Sequence, residues 1–378
     1  MKKWISLLMA AGFALLLCGC MNAAQLKDRT IIKMVGVDLV DGEFVLSMLQ
    51  FSPQLQSGQE AAAATLVVQT RGRSVSEAVD GLSQYSGNEV FLGNASFLVV
   101  GRSAAQQGLE PVLGYFNANH EVSPELYVAM AENTAEEVIR TQSEQDSSAT
   151  QLKTLIEQGQ QNGLLGRPAL KDVINRLQSD KAEPYLPLVT TEELTDGKKV
   201  LKIAGMAIFK EGKFLDNLSI EQTRGVLWAT DELKRAVMTV NYGEEKEALA
   251  SVELTDSESQ VKVSMEDGKP VLLLEIRTEG NLLETSFSRG GGASIDELGE
   301  IQIAVSSQIK DAVRQTVDKV FFEKKSDIFR YSEFIKKYEP DYWKANQEDF
   351  EQVIDDCRIE IYVDCLIDHP GLEAKHSR

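Results

Sequence analysis

Along most of this chain apolar residues recur at every second position or at every third and fourth, and the two spacings divide it into strands and helices. The first long alternating stretch is "IIKMVGVDLVDGEFVLSMLQF" at 31–51. Its Val- and Ile-rich arms flank Asp41-Gly42, a pair favoured at tight turns between right-twisted strands, so it predicts a β-hairpin. A polar loop over 52–64 leads to a third strand over 65–74. Ser74, with Glu77 three residues on, gives a serine cap and starts a helix to about Gln84. "ASFLVVG" (95–101) predicts a buried strand and "ELYVAMA" (125–131) another. Between them, 108–116 has apolar positions at 109, 112, 113 and 116, which is helical spacing. Thr134 opens a further helix with acidic residues in its first turn.

From 141 to 185 the chain is polar and mostly helical, interrupted by Gly166 and Pro168. Pro184 and Pro187 then mark a change to three short strands, with turns at Asp196-Gly197 and Glu211-Gly212. The main domain boundary is expected near 185–195. A helix begins at about Ser219 and leads into further strands, at roughly 249–254, 259–266 and 270–279. Ile301, Val305, Ile309, Ala312, Val313, Val317, Val320 and Phe321 then hold one face of a long helix. An aromatic-rich helical stretch over 327–354 precedes a last alternating segment, "CRIEIYVDC". Strands, then helices, then a strand indicate an α+β fold with mixed or antiparallel sheets. The expected divisions are an N-terminal α+β domain over 31–190, a middle domain over 191–248, a C-terminal α+β domain over 249–370 and a tail over 371–378. No internal repeat of 20–50 residues is visible.

The N-terminus has a pattern of its own. Met1–Lys3 is basic and "WISLLMAAGFALLL" apolar, giving roughly 21 Å of helix, too short to span a bilayer. That is the form of a signal peptide, expected to cover 1–19. Leu17-Cys18-Gly19-Cys20 has the form of a bacterial lipobox, with small residues before the cut and a thiol after it to receive diacylglycerol. On this reading Cys18 leaves with the signal peptide, and Cys20 is acylated and begins a tether over 20–30. Each buried CH₂ contributes ~0.8 kcal/mol, so two or three acyl chains hold such a protein firmly at a membrane.

The other two cysteines, Cys357 and Cys365, share one face of the last strand with Ile359, Ile361 and Val363. In one continuous strand their positions lie roughly 26 Å apart, far beyond the ~7 Å Cα separation a disulfide tolerates, so they are expected as buried small hydrophobes.

Charge and composition narrow the function classes. The chain has 378 residues, is 43 % hydrophobic and carries a formal charge of −19. Loss of Lys2 and Lys3 with the signal peptide makes it more acidic still. Such a field repels nucleic-acid phosphates, and no Lys/Arg run offsets it. With histidine only at 120, 369 and 376, and no CxxC or HxxxH spacing, no metal set is present. No Gly-x-Ser-x-Gly elbow occurs, and "SRGGGAS" (288–294) lacks the Lys-Ser/Thr of a phosphate loop, so it reads as a flexible connector. His120 reads as a loop residue. Trp343, Tyr338 and Tyr342 are expected to pack a helix on a sheet. Carboxylates are plentiful but lie on what read as solvated helical faces. Neither a catalytic set nor a cofactor site emerges.

Several blocks together resemble the Ger(x)C spore-germination lipoproteins. "KDRTIIKMVGVDLVDGEFVLSMLQFSP" after the lipobox is similar to the start of that family, and "TRGRSVSEAVDGLS" and the segment from Gly93 to Ile139 resemble its next blocks. Asn117-Ala118-Asn119 departs from the basic–acidic pair usual there. The most specific block is "IAGMAIFKEGKFLDNLSIEQTRGVLW", where Gly205, Ala207, Phe209, Lys210, Gly225 and Trp228 fit the family's pattern. The segment from Lys325 to Ile367 also fits, although Asp368-His369-Pro370 is less usual. The resemblance implies about three α/β-type domains in a row. It also implies a non-catalytic lipoprotein on the outer leaflet of the spore's inner membrane, working with integral-membrane A and B subunits to trigger germination in response to nutrients. Nutrient recognition in such receptors is usually assigned to the B subunit. In the structural reading of the same block, Gly205, Phe209, Gly225 and Trp228 are fold determinants, Gly205 and Gly225 giving backbone freedom and Trp228 filling the core. A solute-binding lipoprotein feeding a transporter is the alternative; its lobes would need repeated βα units. An extracytoplasmic hydrolase would need the missing nucleophile or metal set.

Overall fold

The computed structural model describes residues 29–51, 65–142, 147–167, 169–243, 248–286 and 293–369. The expected signal peptide, Cys18, Cys20, the loop 52–64, most of the glycine-rich connector and the expected tail lie outside the described residues. The rest forms two sheets, in the order β3-β2-β1-β5-β6-β7-β8-β9, with β4 beside β1, and β10-β11-β12-β13.

The first sheet grows from the expected hairpin, β1 (Arg29–Val40) and β2 (Glu43–Phe51), followed by β3 (Thr65–Gly72). Asp41 and Gly42 both have positive φ, as the primed turn of a two-residue hairpin requires. β4 (Glu89–Phe91), β5 (Phe97–Val100) and β6 (Tyr127–Ala131) add parallel strands, and β7 (Tyr185–Glu193) joins β6 in the same sense. All four residues of β5 are buried, as expected of a strand covered on both faces. One face is covered by α1 (Val75–Ser86), α2 (Arg102–Gln107), α3 (Glu110–Ala118) and α6 (Leu170–Leu177). The other is covered by α4 (Ala135–Arg140) and α5 (Ser148–Gln161). Ser74 caps α1 through the Glu77 amide, as its spacing predicts.

β8 (Lys199–Lys210) and β9 (Lys213–Leu218) continue this sheet antiparallel to β7. The boundary expected at 185–195 therefore falls inside β7, and both sides of it belong to one sheet. Residues 191–248, read from the sequence as a middle unit, are shared between the two sheets. The physical reason is the short connections, which hold β7, β8 and β9 edge to edge instead of releasing the chain into a new unit.

α7 (Ile220–Ala229), which begins in the capping box of Ser219 and Gln222, carries the chain to the second sheet. There β10 (Ala236–Tyr242), β11 (Ala248–Glu266) and β12 (Lys269–Thr285) form a meander, and β13 (Arg358–His369) lies parallel to β12. The two strands expected at 249–254 and 259–266 are one strand, whose register shifts near Ser251 and Leu254 absorb the break in alternation. One face is packed by α8 (Ile295–Val317), a π-helical turn (Asp318–Glu323), α9 (Tyr331–Tyr338), α10 (Pro340–Asn346) and α11 (Phe350–Asp356). All eight apolar positions assigned to the long helix lie in this core or against it. Pro340, which has no N–H, starts α10 and separates it from α9. Trp343 is buried with its ring centroid 6.1 Å from that of Phe350, but Tyr338, expected to pack with it, stands half exposed under Lys337. His120 is an exposed turn residue, as expected.

Cys357 and Cys365 are free and buried, in keeping with the alternating pattern. Burial raises both thiols to about 12. Since the thiolate is the nucleophile, neither cysteine should react with an alkylating reagent near pH 8 while the chain is folded, and both should react once it is denatured. Mass-spectrometric mapping of alkylated peptides checks this; labelling of either position in the native state would contradict the packing.

Candidate functional site at the junction of the sheets

The block carrying Gly205, Ala207, Phe209, Lys210, Gly225 and Trp228 lies where the two halves of the molecule meet. On β8, Ala207 and Phe209 face the core under α2, α3 and α6, while Met206 and Ile208 face the core shared with α7, α8 and the second sheet. One strand thus belongs to two cores, which explains why it is apolar at consecutive positions where a half-exposed strand would alternate. Gly205 sits at the irregularity between β7 and β8, with φ +138. A methyl group there would overlap the carbonyl oxygen of Leu218, where β9 gives way to α7. Only glycine fits both the backbone and the space.

Gly225 permits a close approach of helices. A Cβ at this position would lie 2.7 Å from the Ala312 carbonyl oxygen and would overlap the Thr316 hydroxyl, both on α8. Thr316 donates that hydroxyl to Ala312 O at 2.8 Å, with Gln222 O of α7 at 3.2 Å. Trp228, one turn further on, is 2 % exposed in the shared core. Phe209 meets Phe214 edge-on at 6.3 Å, and its carbonyl oxygen accepts from the Ser326 hydroxyl at 2.6 Å. Lys210 pairs with Glu351 of α11 at 2.8 Å.

Around this block the junction is polar. Arg176 of α6 donates to Ile328 O at 2.7 Å, lies 3.7 Å from Glu232, and stacks 4.6 Å above the Tyr185 ring. Tyr185 donates its hydroxyl to Glu232, and burial, then the Glu232 charge, holds the phenol well above its ordinary range. Asp327, wholly buried, accepts from the Tyr331 and Ser332 amides at 2.8 and 2.9 Å and so caps α9. Burial is the main cause of a raised Asp327 carboxyl, opposed by those hydrogen bonds and by Arg176. Its own carbonyl accepts the Glu183 amide at 3.1 Å. On the other flank Lys319 lies 3.4 Å from Asp216, and although burial pushes upward, the Asn217 amide and Lys319 hold that carboxyl below its usual value.

These groups lock two halves together; they do not surround a nucleophile. Among the described residues, no three His, Cys, Asp or Glu side chains cluster as metal ligands would. The structure gathers all six matched residues into one region, while Cys20 lies outside the described residues. The sequence reading missed Arg176, Glu232, Ser326 and Asp327. For Asp327 a weak trace existed, an acid shortly before a helix, but it stands too far from Tyr331 for a usual N-cap spacing. It reaches the amides only because Arg330 adopts a left-handed conformation.

Comparison with known proteins matches two family models in series. One, described as a spore germination protein N-terminal domain, covers residues 22–191, and the other, described as spore germination B3/GerAC like, C-terminal, covers 204–371. Among curated proteins, spore germination protein B3 of Bacillus subtilis (strain 168) is 23 % identical over 90 % of each chain. Spore germination protein GerQC of Bacillus cereus is 20 % identical over 98 % of this chain and 99 % of its own. The crystal structure of the GerBC protein superposes with a TM-score of 0.61 at 19 % identity, covering 89 % of this chain and 97 % of that one. That likeness establishes a shared mixed α/β fold.

Proposed function

The chain belongs to the spore germination GerAC-like family, and from that membership we propose that it is a non-catalytic, lipid-anchored subunit of a nutrient germinant receptor. The supporting observation is that two consecutive family models account for nearly everything after the lipobox, from 22 to 371. In this reading Cys20 carries the acyl chains, and the folded halves stand on the outer leaflet of the spore's inner membrane beside integral-membrane A and B subunits. No helix among the described residues is long and apolar enough to cross a membrane, and the anchor assigned here is the lipid on Cys20. The junction supports a scaffold role. Its partly buried Arg176–Glu232 pair and the helix capped by buried Asp327 fix the relative position of two surfaces, as a subunit that holds partners in register requires.

Deleting the gene is expected to reduce the germination of spores given nutrients while leaving their response to a nutrient-independent trigger unchanged. The wild-type gene should restore the response, whereas a Cys20→Ala gene should not, its product leaving the membrane fraction. Equal nutrient responses with and without the gene would sink the receptor reading. A Cys20→Ala product still held in the membrane fraction would sink the anchor.

A further inference from the structure

β10 forms one margin of the second sheet and pairs with β11 alone, so among the described residues the peptide groups on its outer side meet no strand. α8 runs alongside that margin, and strand and helix flank an open groove of about 720 Å³. The strand side is Val240–Gly243, and the helix presents Glu300, Ile303, Ala304, Ser307 and Asp311. Ile303 is 72 % exposed, unlike the buried stripe through Ile301, Val305 and Ile309 on the same helix. Both charged groups lining the groove, Glu300 and Asp311, are carboxylates, and among the described residues neither is ion-paired. Burial raises the Tyr242 hydroxyl, and the Glu297 and Glu300 charges raise it further.

We propose that this groove takes up an extended segment of a protein partner, apolar at alternate positions and carrying Lys or Arg, as an additional strand beside β10. Each part of the groove has a role in that recognition. The outer peptide groups of β10 supply main-chain hydrogen bonds, which any extended chain satisfies. Ile303 and Ala304 receive alternate side chains of the incoming strand, which fixes its register. Glu300 and Asp311 select cations, in the same sense as the net charge of −19 on the whole protein. An acidic segment is excluded by the same two residues. The inference stands on the groove alone and does not depend on the germination role.

The test uses the purified mature chain and two synthetic peptides, one alternating valine with lysine and the other valine with glutamate. Binding is read by fluorescence anisotropy and by hydrogen exchange at the amides of 236–242. The lysine peptide is expected to bind, to weaken as salt rises, and to slow exchange in β10; the glutamate peptide is expected to do none of these. Replacing both Glu300→Lys and Asp311→Lys should weaken the lysine peptide about tenfold, because both lining charges are then repulsive, and should leave the melting temperature unchanged. Equal binding of the two peptides, an unaltered affinity in the double variant, or β10 amides that stay unprotected would each overturn the proposal. So would protection that rises with protein concentration alone, which assigns the edge to a second copy. Exchange in β10 that quickens when 370–378 are deleted would assign it to the protein's own tail and overturn it equally.

Discussion

Gly205→Ala is expected to lower the unfolding free energy by about 3–5 kcal/mol, a large fraction of the stability of an ordinary folded chain. Two costs combine at this position. With φ at +138 the backbone lies where L side chains rarely go, which costs about 1–3 kcal/mol. The methyl group would also overlap the Leu218 carbonyl oxygen, so β9 or the start of α7 must move, at a similar cost. Gly197→Ala separates the two. That residue also has positive φ, +80, but a Cβ there meets nothing within 4 Å, so its replacement should cost only about 1 kcal/mol. Urea titrations of the two variants provide the measurement. If they proved equally stable, the close approach at Leu218 would have no energetic weight.

The second large effect is expected at Asp327. Its replacement by alanine strips both acceptors from the Tyr331 and Ser332 amides at the start of α9, inside the core, at about 2–5 kcal/mol. Asp327→Asn keeps one acceptor and should be milder. The two also differ with pH. Because burial raises the folded carboxyl above its unfolded value, the folded state binds the proton more tightly between those two values. Asp327 therefore adds stability below the unfolded value near 3.9, and that contribution is lost as pH rises through the raised folded value. The stability of wild type relative to Asp327→Asn should thus increase as the solution is acidified through this window. A difference independent of pH would mean that the carboxyl is not desolvated.

Both sites lie at the junction, and they differ in how far the sequence revealed them. Gly205 was picked out by resemblance, and its reason is visible only once β8 is laid beside the end of β9. Asp327 carried almost no trace, because its partners are presented by a backbone turn through Arg330 that no periodicity encodes. Trp228 is recognisable as a core residue from its type, whereas on β8 the alternation of Ala207 and Phe209 with Met206 and Ile208 reads as one continuous apolar run. That the run serves two cores follows from the packing of helices on opposite sides of β8. The division expected near 185–195 coincides with the end of the first family match at 191, although the sheet runs across it. Proline and a change of periodicity suggested a new unit, whereas pairing of β7 with both β6 and β8 continues the old one.

The sequence alone determined what is encoded locally. The hairpin at Asp41-Gly42, the capped starts of α1 and α7, the buried stripe of α8 and the alternation of β13 all depend on residues a few positions apart, so spacing suffices to read them. The lipobox is a motif of four consecutive residues, and the expectation for Cys20 rests on it. Tertiary structure decided everything that depends on residues distant in the chain. It set the order of the strands, the sharing of β8 between two cores, the pairing of Arg176 with Glu232 and Ile328, and the open edge of β10 beside α8. Such contacts are chosen by the free energy of the whole packing, and no single segment carries enough of that energy to announce its partner.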